Sequence, residues 1–522
     1  MTVVSNRAAI CNNEGIPIRY LSMTATPHTA DFTQIPLSRR ARNKRIAEER
    51  TRMAAAPDYA TWYQHACTLD VLEGMEAWKL NPVSPHYEHE LIESRLSNLK
   101  TWRRAKDWGQ IIFSLREGMQ RNLANLANPE LYKHTHVGTK RVIDDYITLV
   151  AELLNHLCDH DIADLPHADK PVFFKQTGHG FGRSALLLSG GANMGLFHVG
   201  VVKALWERDL LPRVVSGSSA GSMVAGLLGT RTDNELPKFF SGENVDLHAW
   251  RWLGLGDMWR QKSIMDNSQL ELCLRRNIGE YTFEEAYKRT RRIINITVSP
   301  VGLNHQPRLL NYLTTPHIAV WSGVMASCAV PGLFPPVTLM SKDRNGEYRP
   351  YMPAVKWADG SLKSDLPMRR LAELYNVNHH IVSQTNPHVL PFIADTRRKE
   401  GWTSFLAGLV RGEMKYRSRQ ILQLTSFGLD SGMLKQVLSH AAAMVEQNYY
   451  GDVTIHPDVE LRHYVTLLTN LSHDEFRRRV LEGERATWPK IAMIRDQTVI
   501  GQTLEECIQR LKRHRRAPPH AA

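Results

Sequence analysis

The chain has 522 residues, 43% of them hydrophobic, and a formal net charge of +12, a size that predicts two or three packed units rather than one. Its six cysteines follow no paired spacing and its amino terminus lacks the pattern of a secretory signal, so we expect an intracellular, cytoplasmic protein. No RNA-binding or zinc-finger motif accompanies the positive charge, which argues against a nucleic-acid partner.

Part of the positive charge is concentrated in two short runs, Arg39 to Arg45 and Lys512 to Arg516. Both are typical of solvated arms, which an anionic membrane surface would attract. The longest stretch without Asp, Glu, Lys or Arg runs from Leu309 to Ser341, but its four prolines would break a membrane-spanning helix. This stretch is more typical of a buried core and of the apolar wall of a cleft.

Four regions are predicted along the chain. Residues 1–36 are an irregular tail, and residues 37–170 form a helical domain with apolar residues at helical spacing, first from Ile92 to Trp102 and again from Ile112 to Leu123. Residues 171–390 form an α/β domain. Residues 391–522 are mainly helical, with a basic amphipathic segment at 404–424 and a basic tail.

Short apolar runs within the α/β region predict strands that alternate with helices. The runs are Ala185 to Leu188, Arg213 to Ser216, Arg292 to Ser299 and His379 to Gln384. Strands that alternate with helices indicate a mostly parallel sheet covered by helices.

A serine lies between two glycines at the end of the second of these strands, in Gly217-Ser218-Ser219-Ala220-Gly221. The pattern G-x-S-x-G is typical of a nucleophile elbow, in which a strained strand-to-helix turn presents the hydroxyl above the sheet. The glycines allow the close backbone approach that such a turn needs, and the dipole of the next helix favours negative charge there. A helix-capping serine would give the same pentapeptide, so the motif alone leaves both interpretations open.

A glycine-rich segment from Ser189 to Gly195 follows the first strand. Backbone N–H groups of Gly190, Gly191 and Ala192 would suit an oxyanion hole, the feature that a serine hydrolase needs to stabilise a tetrahedral intermediate. A tight turn or a phosphate loop would use similar residues, but the dinucleotide pattern G-x-G-x-x-G fails at Ala192 and no Walker lysine follows.

The third element is Asp359, which is followed by Gly360 near the end of the α/β region. A loop there could return the carboxylate to Ser219 as a base. An isolated Asp-Gly is ordinarily a turn, and only the other two motifs favour a catalytic role.

In this order, the three segments resemble the patatin-like phospholipase family. Further segments, such as YATWYQHACTLDVLEGMEAWKLNP and WSGVMASCAVPGLF, are similar to its triacylglycerol-lipase branch, and the resemblance runs from about Ala56 to Pro457. It implies a patatin-like three-layer core behind a helical domain. Two positions depart from the family pattern, Ala192 in the glycine loop and Ser361 after the aspartate.

The resemblance also implies the chemistry, a Ser-Asp dyad in which Asp359 takes the Ser219 proton directly. We expect a lipid acyl-ester hydrolase of lipid catabolism that works through an acyl-enzyme, without a metal or organic cofactor. Its substrate would lie at a membrane or lipid-droplet surface. The glycines that support the motifs would be Gly195, Gly217, Gly221 and Gly360. The sequence leaves the preferred lipid and the oligomeric state open.

Two alternatives remain at this point. Histidines after Asp359, namely His379, His380 and His388, keep open a Ser-Asp-His triad of the α/β-hydrolase type. A non-catalytic lipid-binding or scaffolding protein of the same fold would suit the basic arms.

Two further histidines are expected to take no part in the chemistry. His198 lies in an apolar helix and is expected to be packed and hydrogen-bonded. His65 and Asp70 match a His, four residues, Asp pattern that is linked to acyltransferases, but five helical positions place them about 140° apart, so they would not share a face.

Overall fold

The computed structural model describes residues 38–261, 263–301, 306–360, 365–387, 389–390, 449–458, 463 and 466–514. Nine strands lie within these residues: β1 (Arg183–Leu188), β2 (Val214–Gly217), β3 (Ile293–Pro300), β4 (Arg308–Leu310), β5 (Met340–Lys342), β6 (Tyr348–Pro350), β7 (Trp357–Asp359), β8 (Val377–Ser383) and β9 (Val453–Ile455).

The α-helices of the same residues surround these strands. They are α1 (Arg39–Ala55), α2 (Tyr59–Glu73), α3 (Met75–Leu80), α4 (His89–Ala105), α5 (Trp108–Glu117), α6 (Arg141–Asp159), α7 (Lys170–Phe181), α8 (Phe197–Trp206), α9 (Ala220–Thr230), α10 (Leu236–Phe240), α11 (Leu255–Gln261), α12 (Asn267–Ile278), α13 (Phe283–Thr290), α14 (Val320–Cys328), α15 (Met368–Tyr375), α16 (His473–Thr487) and α17 (Ile491–His514). Short 3₁₀ turns cover Leu123–Asn125, Pro129–Tyr132, Ala192–Leu196 and Trp488–Lys490.

The central sheet has the strand order β4-β3-β2-β1-β8-β9, and β7 also pairs with β3. The pairs β1–β2, β2–β3, β1–β8 and β8–β9 are parallel, whereas β4 and β7 run antiparallel to β3. The predicted mostly parallel sheet is therefore confirmed. The carboxyl ends of β1, β2 and β8 meet at one edge, where ligands of open α/β sheets commonly bind.

Alternate residues of β1 pack into two different cores. Leu186 and Leu188 belong to a large core that also contains residues of α8, α9, α12 and α14. Ala185 and Leu187 face the other side, with Leu371 of α15. This period of two, with apolar residues on both faces, is typical of a parallel strand between two helical layers, and it explains the three-layer architecture.

The amino-terminal helices form a separate apolar cluster. Ile92, Leu96 and Leu99 are buried on one face of α4, as their spacing predicts. The second predicted helical stripe is shorter than expected, because α5 ends at Glu117. There the guanidinium of Arg95 donates to the carbonyl oxygen of Ser114, one of the last carbonyls of the helix.

The carboxyl-terminal helices pack against both parts of the molecule. Helix α16 crosses α8 closely, since a Cβ at Gly200 would lie 1.9 Å from the Val480 carbonyl oxygen. Leu504 and Leu511 of α17 join the apolar cluster of the amino-terminal helices. The domain limits that the sequence predicts, after residues 36, 170 and 390, stay predictions.

Several sequence-based expectations fall on residues outside the described ranges: the tail at 1–36, the amphipathic segment at 404–424, the end of the basic tail, Ser361 and His388. In the part of the chain that the structure describes, each helix is too short or too polar to cross a bilayer.

Candidate active site

The turn between β2 and α9 holds Ser219 in a rare backbone conformation. Its φ of +49° and ψ of −120° lie outside the regions that residues with a side chain favour, at a cost of about 1–3 kcal/mol. A Cβ at Gly217 would lie 2.3 Å from the Gly221 carbonyl oxygen, and one at Gly221 would lie 2.1 Å from the Leu188 carbonyl oxygen. Both positions of the motif therefore need glycine, as a nucleophile elbow requires.

Backbone contacts fix the orientation of this turn. The Ser219 N–H donates to Ser327 Oγ at 2.9 Å, and the Ser327 hydroxyl in turn donates to the Thr297 carbonyl oxygen at 2.8 Å. Ser219 is half-buried and precedes the amino end of α9, where the helix dipole stabilises negative charge. Ser327, at the end of α14, is a positioning residue that motif searching did not find.

Asp359 is the last residue of β7 and is almost fully buried. It lies opposite Val298 of β3, and its N–H donates to the Ala329 carbonyl oxygen at 3.0 Å. The end of α14 thus contacts both segments, Ser219 through Ser327 and Asp359 through Ala329. Gly360 has no room for a side chain, because a Cβ would lie 2.6 Å from the Thr297 carbonyl carbon.

The glycine loop after β1 supplies fewer N–H donors than the sequence suggests. The Gly190 N–H donates to Asp365 Oδ1 at 3.0 Å, so it is directed at a carboxylate, which corrects the role expected of Gly190. The N–H groups of Gly191 and Ala192 donate to no acceptor among the described residues, so both are available as donors to a bound group. A Cβ at Gly195 would lie 2.5 Å from that of Ala220, so the loop packs directly on the elbow.

Ala192 takes the left-handed conformation, with a φ of +48°. Glycine adopts this conformation freely, whereas alanine pays about 1–2 kcal/mol for it. The alanine nevertheless keeps its N–H, so the exchange leaves the potential donor in place.

Asp365 is a site residue that sequence reasoning missed. Its carboxylate accepts hydrogen bonds from the Gly190 N–H and from the Asn386 amide, and its carbonyl oxygen accepts from the Ser218 hydroxyl at 2.9 Å. Burial raises the pKa of Asp365 to about 7, the Gly190 N–H opposes this rise, and the nearby Asp359 adds to it. Asp365 therefore joins the glycine loop to the elbow. In the sequence, Asp365 is marked only by its position six residues after Asp359. An exposed aspartate could equally stand there, so the position alone does not indicate a site residue.

A cavity of 610 Å³ lies at this edge of the sheet, and its wall is mainly apolar. Ser219, Asp359 and the loop residues Gly190, Gly191 and Ala192 all line it. Side chains from distant segments complete the wall: Leu196, Met223, Leu227, Leu247, Trp250, Trp252, Leu270, Val330, Leu333, Phe334 and Leu468.

The stretch from Leu309 to Ser341 contributes to this wall as expected, through residues between Cys328 and Phe334. Val330 lines the cavity. Val324, an apolar residue of the same stretch, is fully buried in the packing of α14 against α9, and its Cγ2 lies 3.0 Å from the Cβ position of Gly226.

Cys328 also lines the cavity, next to the elbow. Its thiol donates to the Ser219 carbonyl oxygen at 3.5 Å. Burial, aided by Asp359, raises the pKa of the Cys328 thiol far above neutrality, so it stays protonated and is a poor nucleophile.

The described histidines of the triad alternative lie away from the cavity. His379, near the start of β8, is held between Ser184 Oγ at 3.0 Å and Gln497 Oε1 at 2.7 Å. Its strand continues for four residues to its carboxyl end at Ser383, roughly 13 Å at the rise of a β-strand. His380 is adjacent and pairs with Asp452 at 3.5 Å.

His198 is packed and satisfied, as expected. Its ring nitrogens lie 2.7 Å from Ser383 Oγ and 2.9 Å from the Ser189 carbonyl oxygen. Burial lowers the pKa of His198 to about 4, so the ring is neutral and acts as a structural link between the ends of β1 and β8.

His65 and Asp70 have separate partners. His65 Nδ1 lies 2.6 Å from Glu49 Oε2, whereas the fully buried Asp70 accepts from Lys79 and from the N–H groups of His136 and Val137. The pair forms no joint site, and Asp70 is a structural carboxylate of the helical region.

Two family models match the chain. The model of the patatin-like phospholipases matches residues 186–372, and that of a domain of unknown function, DUF3336, matches residues 39–179. The first range contains all three segments of the cavity edge that carry Ser219, Asp359 and the glycine loop.

Curated relatives cover more of the chain. Triacylglycerol lipase ptl3 of Schizosaccharomyces pombe is 33% identical over 87% of this chain and 95% of its own length. The chain therefore belongs to the triacylglycerol-lipase branch of the patatin-like family. Triacylglycerol lipase SDP1L of Arabidopsis thaliana is 40% identical over 90% of this chain, and triacylglycerol lipase 4 of Saccharomyces cerevisiae is 35% identical over 88%. This patatin-like chain spans 59% and 52% of the lengths of those two relatives.

Proposed function

We propose that this patatin-like chain is a serine hydrolase of lipid acyl esters, with Ser219 as the nucleophile and Asp359 as the base. The observation that carries the proposal is the meeting of three features in one apolar cavity: the strained elbow with Ser219, the buried carboxylate of Asp359, and a loop with two N–H groups left for an oxyanion. Such a set serves acyl transfer to a serine.

The reaction has two halves. Asp359 takes the hydroxyl proton as Ser219 Oγ attacks the ester carbonyl carbon, and the N–H groups of Gly191 and Ala192 stabilise the oxyanion. The C–O bond to the alcohol then breaks, the alcohol leaves with the proton from Asp359, and an acyl-enzyme remains. Water that gives a proton to Asp359 attacks this ester, and the fatty acid leaves as Ser219 recovers its proton.

The described residues support a dyad rather than a triad. Among them, neither His379 nor His380 lines the cavity, and His198 binds Ser383 Oγ and the Ser189 carbonyl oxygen instead of Ser219. A buried carboxylate in a site of low polarity is a stronger base than one in water, which suits direct proton transfer from the serine.

The substrate class follows from the wall of the cavity and from the names of the relatives. The wall is built mainly of Leu, Met, Val, Phe and Trp side chains, which favour fatty acyl chains over polar acyl groups. The relatives are named triacylglycerol lipases, so a triacylglycerol is the first candidate, with phospholipids and lysolipids as the alternatives. These lipids reside in membranes and droplets, so we place the protein at such a surface as a peripheral protein.

The first test is fatty-acid release from matched emulsions of triacylglycerol, diacyl phospholipid and lysophospholipid. We expect release by the wild type and none by Ser219→Ala, because the alanine has no nucleophile. Ser241→Ala, at an exposed serine after α10, is the matched control and keeps full activity. Equal release by wild type and Ser219→Ala would refute the dyad. Absence of release from all three lipids by folded wild type would favour the non-catalytic scaffold.

A further inference from the structure

A loop beside the cavity mouth carries three exposed apolar side chains. Trp252 is 60% exposed, Leu255 is 83% exposed and Trp259 is 89% exposed. Large side chains this open to water are costly to keep on a surface that nothing covers. We propose that these three residues, here called the apolar tip, insert into a lipid surface and seat the cavity mouth on it.

The base of the loop is built firmly onto the cavity wall. Trp252 and Met265 form a β-bridge, and the Leu253 N–H donates to the Ile264 carbonyl oxygen at 3.0 Å. The Met265 N–H donates to the carbonyl oxygen of Leu333, itself a wall residue, at 2.9 Å. The apolar tip therefore has a fixed place relative to the cavity.

Among the described residues, open space lies beside both glycines at the end of the loop. Cβ atoms built at Gly254 and Gly256 would meet no other atom within 4 Å. Leu255 and Trp259 are four residues apart on α11, so they lie on one side of the helix. Trp252 also lines the cavity, so this residue of the apolar tip adjoins the cavity wall.

The chemistry of the loop fits a lipid surface. Tryptophan is enriched where lipid headgroups meet acyl chains, because its ring is apolar and its N–H is polar. Two ion pairs flank the tip among the described residues, Arg260 with Asp257 at 2.7 Å and Arg251 with Asp266 at 2.6 Å. Because the tip would bind by burying apolar side chains, this binding should depend less on salt than binding through the basic arms.

The proposal rests on the proposed function for its choice of partner, since an acyl ester must pass from a lipid surface into the cavity. The tip would shorten that path, because it brings the mouth against the lipid that holds the ester. We therefore expect the tip to matter for esters in particles and not for esters dissolved in water.

The test compares the double variant Leu255→Ser/Trp259→Ser with Phe113→Ser. Phe113 is 62% exposed and lies on α5 among the amino-terminal helices, so Phe113→Ser is a control for the loss of an exposed apolar side chain outside the tip. Flotation with phosphatidylcholine vesicles is measured in the Ser219→Ala background, so that the lipid stays intact. We expect vesicle binding to fall at least about tenfold in the double variant, at low and at high salt, and to be unchanged in Phe113→Ser.

The same variants with Ser219 restored are then assayed on emulsified triacylglycerol and on a water-soluble short-chain ester. The double variant should lose at least about tenfold on the emulsion and keep its rate on the soluble ester. If the double variant binds vesicles as well as the protein with an intact tip does, the proposal is overturned, and a protein partner is left as the occupant of the tip. Because the flotation uses an inactive protein, a lack of ester hydrolysis by wild type would refute the proposed function without deciding the role of the tip.

Discussion

The inner end of the cavity and its mouth differ in how tightly they are packed. At the inner end, Cβ atoms at Gly217 and Gly221 would lie within 2.3 Å of carbonyl atoms of the turn or of β1, whereas Gly254 and Gly256 at the mouth have open space around them. Close packing holds the reacting groups in one geometry, and the open mouth leaves apolar surface for a partner. Changes at the inner end should therefore affect every ester, and changes at the mouth only esters in particles.

The largest effect is expected for Asp359→Asn, which removes the base and keeps the shape. Turnover should fall by about 10³-fold on soluble and emulsified esters alike. Asp257→Asn, at the open mouth, is the matched control and should leave the soluble-ester rate unchanged. The measurement is the initial rate of hydrolysis of both substrates. If the rate of Asp359→Asn stays within tenfold of the wild-type rate, Asp359 is not the base of the dyad.

A pair of glycine substitutions tests the packing difference directly. Gly221→Ala places a methyl group 2.1 Å from the Leu188 carbonyl oxygen, so the turn or β1 must move, at a cost of about 3 kcal/mol. Gly256→Ala meets no neighbour and should change stability by less than about 0.5 kcal/mol. Thermal unfolding of the two variants measures this, and equal midpoints would contradict the tight inner end.

Asp365 offers a test of how the glycine loop is held. Asp365→Ala removes the acceptor of the Gly190 N–H, and a displaced loop should lower kcat by about tenfold to 100-fold with little change in KM. Asp365→Asn keeps an acceptor oxygen and should restore most of the rate. If both variants match wild type in kcat, Asp365 does not position the loop.

The same residue predicts a pH dependence of stability. Its pKa of about 7 in the folded chain exceeds the ordinary value of 3.8, so folding favours the protonated form. Its stabilising contribution is complete below about pH 4 and is lost as the pH rises through about 7, a difference on the order of 4 kcal/mol. The unfolding midpoint of wild type should therefore fall relative to that of Asp365→Asn from pH 5 to pH 8. A constant difference between the two midpoints would contradict the raised pKa of Asp365.

A charge on the cavity wall should have a smaller and more selective effect. Val330→Asp puts a carboxylate where an acyl chain would lie, and we expect about a tenfold loss on long-chain esters and less on short ones. Val301→Asp, at an exposed valine, should leave the chain-length profile unchanged. Equal losses at every chain length would mean that Val330 does not contact the acyl chain.

The smallest effect is expected in the helical region. His65 contacts Glu49 there and shares no partner with Asp70, so His65→Ala should keep ester hydrolysis within about twofold of wild type. Loss of hydrolysis in a folded variant would show that the helical region takes part in the chemistry.

The sequence by itself determined the local features of this protein. The apolar run at 185–188 and the period of three to four in α4 predicted their elements, because these patterns reflect which face of one element is buried. Glycines 217 and 221 and the serine between them predicted the elbow, since only glycine fits a turn so close to other backbone atoms. The three-residue strands β4, β7 and β9 were not predicted, because so few residues carry no period.

Only the tertiary structure decided which groups serve the site. The Gly190 N–H is taken by Asp365, the elbow N–H is taken by Ser327, and Val330 rather than Val324 faces the cavity. The two hydrogen bonds join groups that are far apart in the chain, by 175 residues in the first case and by 108 in the second. A local pattern states which residues are apolar or small, but a hydrogen bond or a cavity wall exists only when the packed sheet brings distant segments together.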